Sequence, residues 1–422
     1  MEKKNVFKYL IKEFHEASFP SFFERDFHLP KTQKIITIIG SRRVGKTFYC
    51  YQLMKKLRET VQKERILYIN FEDDRLFPLH VGDLDEILEA YYELYPDLKG
   101  KELYLFFDEI QNIPSWELYV RRVYDKERIR IVITGSNAKL LSREIATSLR
   151  GRTITFSLFP LSFKEFLQFN GLKITQGSLY SKERFFIKKS FEKYMTLGGF
   201  PEIVLEKNNL EQKILREYFE MVLYRDILGR FSIRNVTLLK MLSKFLLTNV
   251  SASFSINAYY NSIKQTIALS KDSIAEYVSY LEEANMIFLV SLFDYSLKKQ
   301  QAAPKKVYCI DNGLRNAVSF LFSKDERRLA ENLVFIELKR REKDIFYWKK
   351  QGEVDFLIKE DDETMVAINV SYGDSIDERE VRSLKEVKAL FGKKLKEMLI
   401  ITKDTEKKEQ DITFIPLYKW FL

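Results

Sequence analysis

Cysteine and histidine are scarce in this chain of 422 residues, which holds two cysteines, Cys50 and Cys309, and three histidines. So few ligands leave no disulfide framework and no Cys/His zinc site. No apolar run approaches the roughly 18 residues that a membrane span requires, so no membrane association is expected. The N-terminus, Met1-Glu2-Lys3-Lys4 and onward, lacks the apolar core and cleavage site of a signal peptide. The expected location is the cytoplasm. The chain also lacks low-complexity linkers and internal repeats, so its domains are expected to pack closely.

What is present is an ordinary globular balance, 45% apolar and 31% charged, in a chain too long for one core and suited to two or three domains. The net charge of +10 favours an anionic partner. Between Lys298 and Lys350 stand 14 Lys/Arg against 7 Asp/Glu, a local excess of +7. That stretch reads either as an electrostatic footprint for DNA of low sequence specificity or as a solvated lysine-rich surface.

Residues 6 to 17 carry an amphipathic helical pattern (Val6, Tyr9, Leu10, Phe14), followed by a proline-bounded stretch to Pro30. From Lys34 to Leu158 the apolar runs "IITII", "ILYINF", "LYLFFD", "RIVIT" and "RTITF" alternate with helical segments. Continuous apolar strands between helices predict a parallel sheet covered on both faces. From Ser162 to about Asn235 the pattern is mostly helical, broken at Gly198-Gly199-Phe200-Pro201. Residues 236 to 300 are helical again, and "KKVYCID" predicts a strand. From Glu331 the order becomes helix, strand, hairpin, strand, helix, strand and a last apolar segment ending at Leu422.

The sharpest local signal is "GSRRVGKT", residues Gly40, Ser41, Arg42, Arg43, Val44, Gly45, Lys46 and Thr47. It matches the phosphate-binding pattern G-x-x-x-x-G-K-T and lies between a predicted strand and a helix starting near Lys46, the context that pattern requires. Its glycines let backbone N–H groups wrap phosphates, aided by the helix N-terminus. Lys46 is the expected cation for the β- and γ-phosphates, and Thr47 the expected hydroxyl ligand of Mg²⁺. "LYLFFDEIQ" then places Asp108 at the carboxyl end of an apolar strand, where open α/β sheets put their ligand chemistry. Asp108 is expected on the magnesium side, and Glu109 is expected to deprotonate the attacking water. "ITGSN" delivers Ser136 and Asn137 to the same edge, where a polar side chain senses the γ-phosphate or aligns water.

Together these features resemble the AAA+ ATPases, with Ser136 or Asn137 in the place of their sensor residue. "YINFEDDRL", "DEIQNIPSWE", "ITGSNAKLLS", "SLRGRTITFSLFPLSFKEFL" and "GGFPE" narrow the likeness. They resemble a prokaryotic ATPase family most familiar in archaea, whose members join an AAA+ module to a winged helix and a C-terminal domain of the restriction-endonuclease-like fold. The resemblance covers nearly the whole chain and implies ATP hydrolysis with ATP and Mg²⁺ as cofactors. An arginine is expected to complete the site and could reach the nucleotide of a neighbouring subunit, which leaves oligomerisation open. Arg121, Arg122, Arg150 and Arg152 compete for that role, with Arg152 favoured and a surface salt bridge the rival role for each.

"SKDSIAEYVSYLEEANMIFLV" begins with the cap-forming Ser270 and Asp272 and sets Ile274, Val278 and Leu281 on one helical stripe. It resembles the winged helix of that family, with residues 272 to 285 as the recognition-type helix and "IFLVSLFDYS" starting the wing. Glu282 and Glu283 would repel phosphates, so the module is either a DNA reader or a protein-packing element. The last domain resembles the PD-(D/E)xK nuclease fold, in which a helix acid, a strand acid and Glu-x-Lys bind Mg²⁺. Carried over, Glu331 is the helix acid, Asp355 the strand acid, and Asn369 and Ser371 occupy the Glu and Lys places. Strand alternation points Asn369 and Ser371 to one side, where the missing acid and base would stand. A neutral amide is a weak magnesium ligand. The expectation is a domain that does not cleave.

The reading is an α/β protein: a P-loop NTPase parallel sheet (1–160), a helical lid (161–235), a winged helix (236–325) and a restriction-endonuclease-like α/β domain (326–422). Its expected activity is ATP hydrolysis on or near DNA. The rivals are a nucleotide-gated switch binding DNA or a protein partner with little turnover, and an ATP-regulated nuclease.

Overall fold

A computed structural model of the chain describes residues 2–136, 149, 151–175, 177–266, 269–319 and 325–422. The chain divides into two compact units, Met1–Leu158 and Phe159–Leu422.

In the first unit, α1 (Lys3–Glu16) buries Val6, Phe7, Leu10, Ile11 and His15. Tyr9, expected on that stripe, is 59% exposed, because the buried arc is centred on Phe7 and Ile11. The five apolar runs form β1 (Ile35–Ile39), β2 (Ile66–Asn70), β3 (Leu103–Asp108), β4 (Ile129–Gly135) and β5 (Thr153–Ser157). All pair in parallel, in the order β2-β3-β4-β1-β5. Parallel neighbours need crossovers, and α2 (Lys46–Leu57), α3 (Asp85–Leu94) and α4 (Trp116–Lys126) supply three of them. One face of the sheet packs Leu67, Leu105, Ile131 and Trp116 into the main core; the other packs Ile66 and Phe106 on Cys50 and Met54. Burial on both faces is why the strands carry few polar residues. With β4 between β1 and β3, the ends of these strands align: Ile39 stands opposite Gly135, and Asn70 opposite Asp108. The loop leaving β1 and the acid ending β3 therefore share one edge.

The second unit opens with α5 (Phe163–Phe169), where Ser162 and Glu165 form a reciprocal capping box. α6 (Glu183–Leu197), α7 (Pro201–Leu205) and α8 (Glu211–Met221) follow, the last continuing into a π-helical turn over Val222–Leu228. The Gly198–Pro201 break between α6 and α7 is tied down by Asp311, whose carboxylate accepts from Gly199 N at 2.7 Å.

Next come α9 (Val236–Thr248), β6 (Ser253–Phe254), α10 (Ile256–Ile263), α11 (Lys271–Glu283), β7 (Ile287–Val290), α12 (Leu297–Ala302) and β8 (Lys305–Cys309). The three strands form an antiparallel sheet in the order β6-β8-β7. As the periodicity predicts, α11 buries Ile274, Val278 and Leu281, and Ser270 is its cap, accepting from Ser273 N at 3.0 Å. α13 (Asn312–Val318) leads to α14 (Glu326–Arg340), which is buried continuously from Leu329 to Leu338.

The chain ends with β9 (Asp344–Lys349), β10 (Glu353–Lys359), β11 (Met365–Ser371), α15 (Glu378–Phe391), β12 (Leu395–Thr402), β13 (Lys407–Glu409), β14 (Ile412–Pro416) and α16 (Leu417–Trp420). This six-stranded sheet runs β13-β14-β12-β11-β10-β9. β9, β10 and β11 form an antiparallel meander, while α15 crosses over to make β12 parallel to β11. Val354, Leu357, Ala367, Leu384, Val387 and Ile400 fill the core between the sheet and α15.

Candidate functional site

The loop after β1 takes backbone shapes that its sequence dictates. Gly45 has φ 96°, and Arg43 is also left-handed at φ 67°. A Cβ on Gly40 would lie 2.3 Å from the carbonyl oxygen of Leu158, so no larger residue fits there. The loop is braced from outside by Arg25, whose Nη1 donates to Val44 O at 2.8 Å, while Gln52 Nε2 donates to Arg25 O at 3.1 Å. Inside the loop, the buried Ser41 hydroxyl has no hydrogen-bond partner among the described residues. Lys46 is also buried: its Nζ donates to Gly40 O at 3.1 Å and Ser41 O at 3.3 Å, and lies 3.0 Å from Glu109 Oε1. Arg42 pairs with Glu72 at 2.8 Å.

The acids at the end of β3 meet this loop. Thr47 Oγ1 donates to Asp108 Oδ2 at 2.7 Å, and the Tyr68 hydroxyl donates to the same oxygen at 3.0 Å. The Thr134 hydroxyl donates to Asp108 Oδ1 and accepts the Glu109 N–H at 3.0 Å. Burial raises the Asp108 carboxyl above its ordinary range, against the hydrogen bonds from Thr134 and Thr47. Glu109 sits in the left-handed region at φ 53° and ψ 44°, a conformation that costs a non-glycine residue free energy and turns its side chain toward Lys46. Burial would raise its carboxyl too, but Lys46, Gln111 and Arg42 outweigh that and hold it at about 2. Gln111 Nε2 donates both to Glu109 Oε2 and, at 3.3 Å, to Ser136 Oγ. The result is a cation, a hydroxyl and two carboxylates on one buried sheet edge, the donor set of a phosphate and a hard metal ion.

Among the predicted site residues, Lys46, Thr47, Asp108, Glu109 and Ser136 therefore come together. Asn137 and Arg150 lie outside the described residues. Arg152 does not join the cluster. It precedes β5, whose Thr153 stands opposite Ile35 at the start of β1, roughly 13 Å of strand from the end where the phosphate loop departs. There its guanidinium grips Asp125 at 2.8 and 3.0 Å. Arg122 pairs with Asp85. Arg25, Tyr68, Gln111 and Thr134 went unnoticed in the sequence. Thr134, inside "ITGSN", Gln111, inside "LYLFFDEIQ", and Tyr68, opening "YINFEDDRL", sat in stretches already quoted for the site or the family likeness.

In the second unit the two acids singled out by sequence also meet. Glu331 Oε1 and Asp355 Oδ1 lie 3.1 and 2.9 Å from one nitrogen, the Nζ of Lys306. Asn369 stands beside Asp355, as expected for that place, but its amide is fully engaged. Its Nδ2 donates to Glu380 O at 2.9 Å and Ser383 Oγ at 2.8 Å, both on α15, while its Oδ1 accepts from Asp355 N at 3.0 Å. The amide is a fastener between β11, β10 and α15 whose polar atoms are already engaged.

The positive excess between Lys298 and Lys350 is not one exposed surface. Lys306 and Arg315 are buried, Arg327 pairs with Glu380 at 2.8 Å, and Lys343 pairs with Glu360 at 2.8 Å. Arg340 and Arg341 both pair with Glu337, and Lys349 pairs with Glu353 at 2.9 Å. Lys298 and Lys299 are exposed beside the exposed Tyr295 and Leu297.

A five-stranded parallel sheet with a glycine-bounded phosphate loop after β1 and an Asp-Glu pair after β3 defines a P-loop NTPase fold of the ATPase type. Residues 32–167 match the family model of an AAA domain, residues 188–325 that of a domain of unknown function (DUF8612), and residues 327–420 that of another (DUF4143). The chain is 36% identical over 442 residues to the uncharacterized protein MJ1544 of Methanocaldococcus jannaschii, an alignment covering 100% of this chain and 96% of that one. It is 31% identical over 406 residues to an uncharacterized protein of Haemophilus influenzae, covering 95% and 98%. The chain belongs to the family of these two proteins. The Walker-type ATPase PABY2304 of Pyrococcus abyssi superposes with a TM-score of 0.44 at 15% identity, over 67% of this chain and 90% of that one. An AAA domain implies use of a nucleotide, usually with Mg²⁺. Among the described residues no helix is long and apolar enough to cross a membrane.

Proposed function

We propose that the AAA domain binds ATP with Mg²⁺ and hydrolyses it, with Glu109 as the base. The observation that carries this reading is the meeting of Lys46, Thr47, Asp108 and Glu109 at one buried sheet edge. The residues suit the ligands: a buried, unpartnered Ser41 hydroxyl and a loop too tight for a side chain at Gly40 favour a phosphate. The Thr47 hydroxyl and Asp108 carboxylate, 2.7 Å apart, are the hard-oxygen pair that Mg²⁺ prefers. Bound there, the ion supplies Lewis acidity to the phosphoryl oxygens.

This chain's residues do the rest. Lys46 neutralises phosphate charge, and in doing so gives up its hold on Glu109. A carboxylate held at about 2 is a poor base; released from the lysine, it moves up toward the range in which it takes a proton from water. Gln111 keeps it aimed, and Ser136, with Asn137 after it, senses the γ-phosphate. Arg152 serves only a neighbouring subunit, because its own phosphate loop lies at the far edge of the sheet. A nucleotide gate without turnover gives no reason for the strained placement of Glu109. The test is whether ATP bound by Glu109→Gln stays uncleaved while wild type releases phosphate.

We further read residues 236–325 as a winged helix, supported by the order α9, β6, α10, α11, β7, β8, with the short α12 inserted between the last two strands, and by the sheet order β6-β8-β7. Residues 326–422 are read as a nuclease-like domain that does not cleave. The order α14, β9–β11, α15, β12 and the meeting of Glu331 with Asp355 support the likeness; the engagement of Asn369 with α15 supports the loss of chemistry. DNA is the proposed partner, gripped with low specificity through exposed lysines such as Lys298 and Lys299. A protein partner is the alternative, which the glutamates of α11 favour.

A further inference from the structure

Lys306 stands in β8, paired with Ser253 of β6 and Val290 of β7, yet its side chain leaves that sheet entirely. It is 2% exposed, and its Nζ lies 2.8 Å from Glu353 Oε1, 2.9 Å from Asp355 Oδ1 and 3.1 Å from Glu331 Oε1. An ammonium has three N–H donors, and each here meets one carboxylate. Two further donors reach these acids: the Tyr308 hydroxyl donates to Glu331 Oε1 at 2.8 Å, and Val370 N donates to Asp355 Oδ2 at 2.9 Å. The lysine arrives along a rigid path. Asn332 of α14 accepts from Cys309 N at 2.9 Å and donates to Cys309 O at 3.1 Å, stapling β8 to the helix that carries Glu331.

We infer that Lys306 is the built-in cation of this carboxylate cluster, filling the place of a divalent metal ion and fastening the β6-β8-β7 sheet to the C-terminal sheet. Glu331 and Asp355 are both buried, and adjacent carboxylates out of water stay ionised together only with a cation among them. A hard divalent ion draws its oxygens to about 2.0–2.6 Å; these three stand at ammonium distance instead. Nor is any group of three or more acids, histidines or cysteines among the described residues set to hold a metal. The aliphatic stem of Lys306 also fills the approach on the β8 side. Metal entry would require β8 to withdraw, which its staple to α14 opposes. A lysine from one module thus closes a site in the next. The inference deepens the non-cleaving reading of residues 326–422 and does not depend on ATP turnover.

The experiment titrates Mn²⁺ into the nucleotide-free full-length chain and counts bound metal by electron paramagnetic resonance, with Asp355→Ala as the reference. Wild type is expected to bind no Mn²⁺ that Asp355→Ala loses. Lys306→Ala, and Lys306→Met, which keeps the volume of the stem, are each expected to gain one Mn²⁺ per chain, abolished by adding Asp355→Ala. Asp355-dependent Mn²⁺ binding by wild type overturns the assignment, whatever the variants do. So does a Lys306 variant with native circular dichroism and no added metal. The same samples are incubated with plasmid DNA: cleavage by wild type would sink the non-cleaving reading, whereas Asp355-dependent metal binding by wild type without cleavage would sink only the role given to Lys306.

Discussion

Glu109→Gln separates the chemistry of the AAA site from its architecture. The substitution keeps the side chain's size and its acceptor oxygen toward Lys46, and removes the charge. In the folded chain the carboxyl falls from its ordinary 4.5 to about 2, a net electrostatic gain of about 3 kcal/mol in favour of the folded anion. Because the folded value is the depressed one, this stability is complete above about 4.5 and disappears as pH falls toward 2. Near neutral pH the variant should lose up to about 3 kcal/mol, against a typical total of about 5–15 kcal/mol, so it remains folded and its kinetics can be read. Melting of a domain of this size should drop by roughly 6–12 °C. The deficit should shrink with saturating ATP, whose phosphates replace the lost counter-charge of Lys46. Turnover should fall at least about 100-fold, as expected for loss of a general base, with ATP affinity retained. The assays are phosphate release, calorimetric ATP binding and thermal melting with and without ATP. A phosphate release rate close to wild type would move the base elsewhere and refute the mechanism.

Other outcomes follow from the same geometry. Asn369→Glu should cost about 3 kcal/mol or more in urea denaturation, because a buried charge would face Glu380 O and lose two donated bonds; unchanged stability would contradict the fastener role of Asn369. DNA binding should weaken steeply with salt as phosphate contacts release counterions, and fluorescence anisotropy with no binding even at low salt would turn the partner toward protein. No phosphodiester cleavage is expected with Mg²⁺ or Mn²⁺ on duplex, branched or single-stranded DNA, with or without ATP. Wild-type cleavage that vanishes in Asp355→Ala would make the domain a nuclease.

The AAA site was legible because its chemistry constrains short stretches of chain. The phosphate loop demands a glycine at Gly40, where a Cβ would strike Leu158 O, and at Gly45, whose φ of 96° no other residue adopts cheaply, and a sheet buried on both faces demands uninterrupted apolar runs. Asp108 and Glu109 could be read because they end such a run. Lys306 was illegible for the opposite reason: it lies 25 residues from Glu331 and 49 from Asp355, in a strand of another sheet, with nothing local to mark it. Tyr68 looked like strand filler, although its hydroxyl reaches Asp108. The basic excess misled because the window ended too soon. Glu353, Glu360 and Glu380, which pair with Lys349, Lys343 and Arg327, all follow Lys350. Charge counted along a chain does not see the partners the fold supplies.

The central claim, that this chain turns over ATP at the Lys46 site, is tested most directly by phosphate release from the full-length protein in ATP with and without Mg²⁺, beside Lys46→Ala as the blank. Removing Lys46 takes away the fixed cation of the phosphate loop, so calorimetry on that variant should also show tight ATP binding abolished. The account predicts Mg²⁺-dependent release by wild type and none by Lys46→Ala. Release that is equal in the two proteins, or absent from wild type at saturating ATP, would contradict it.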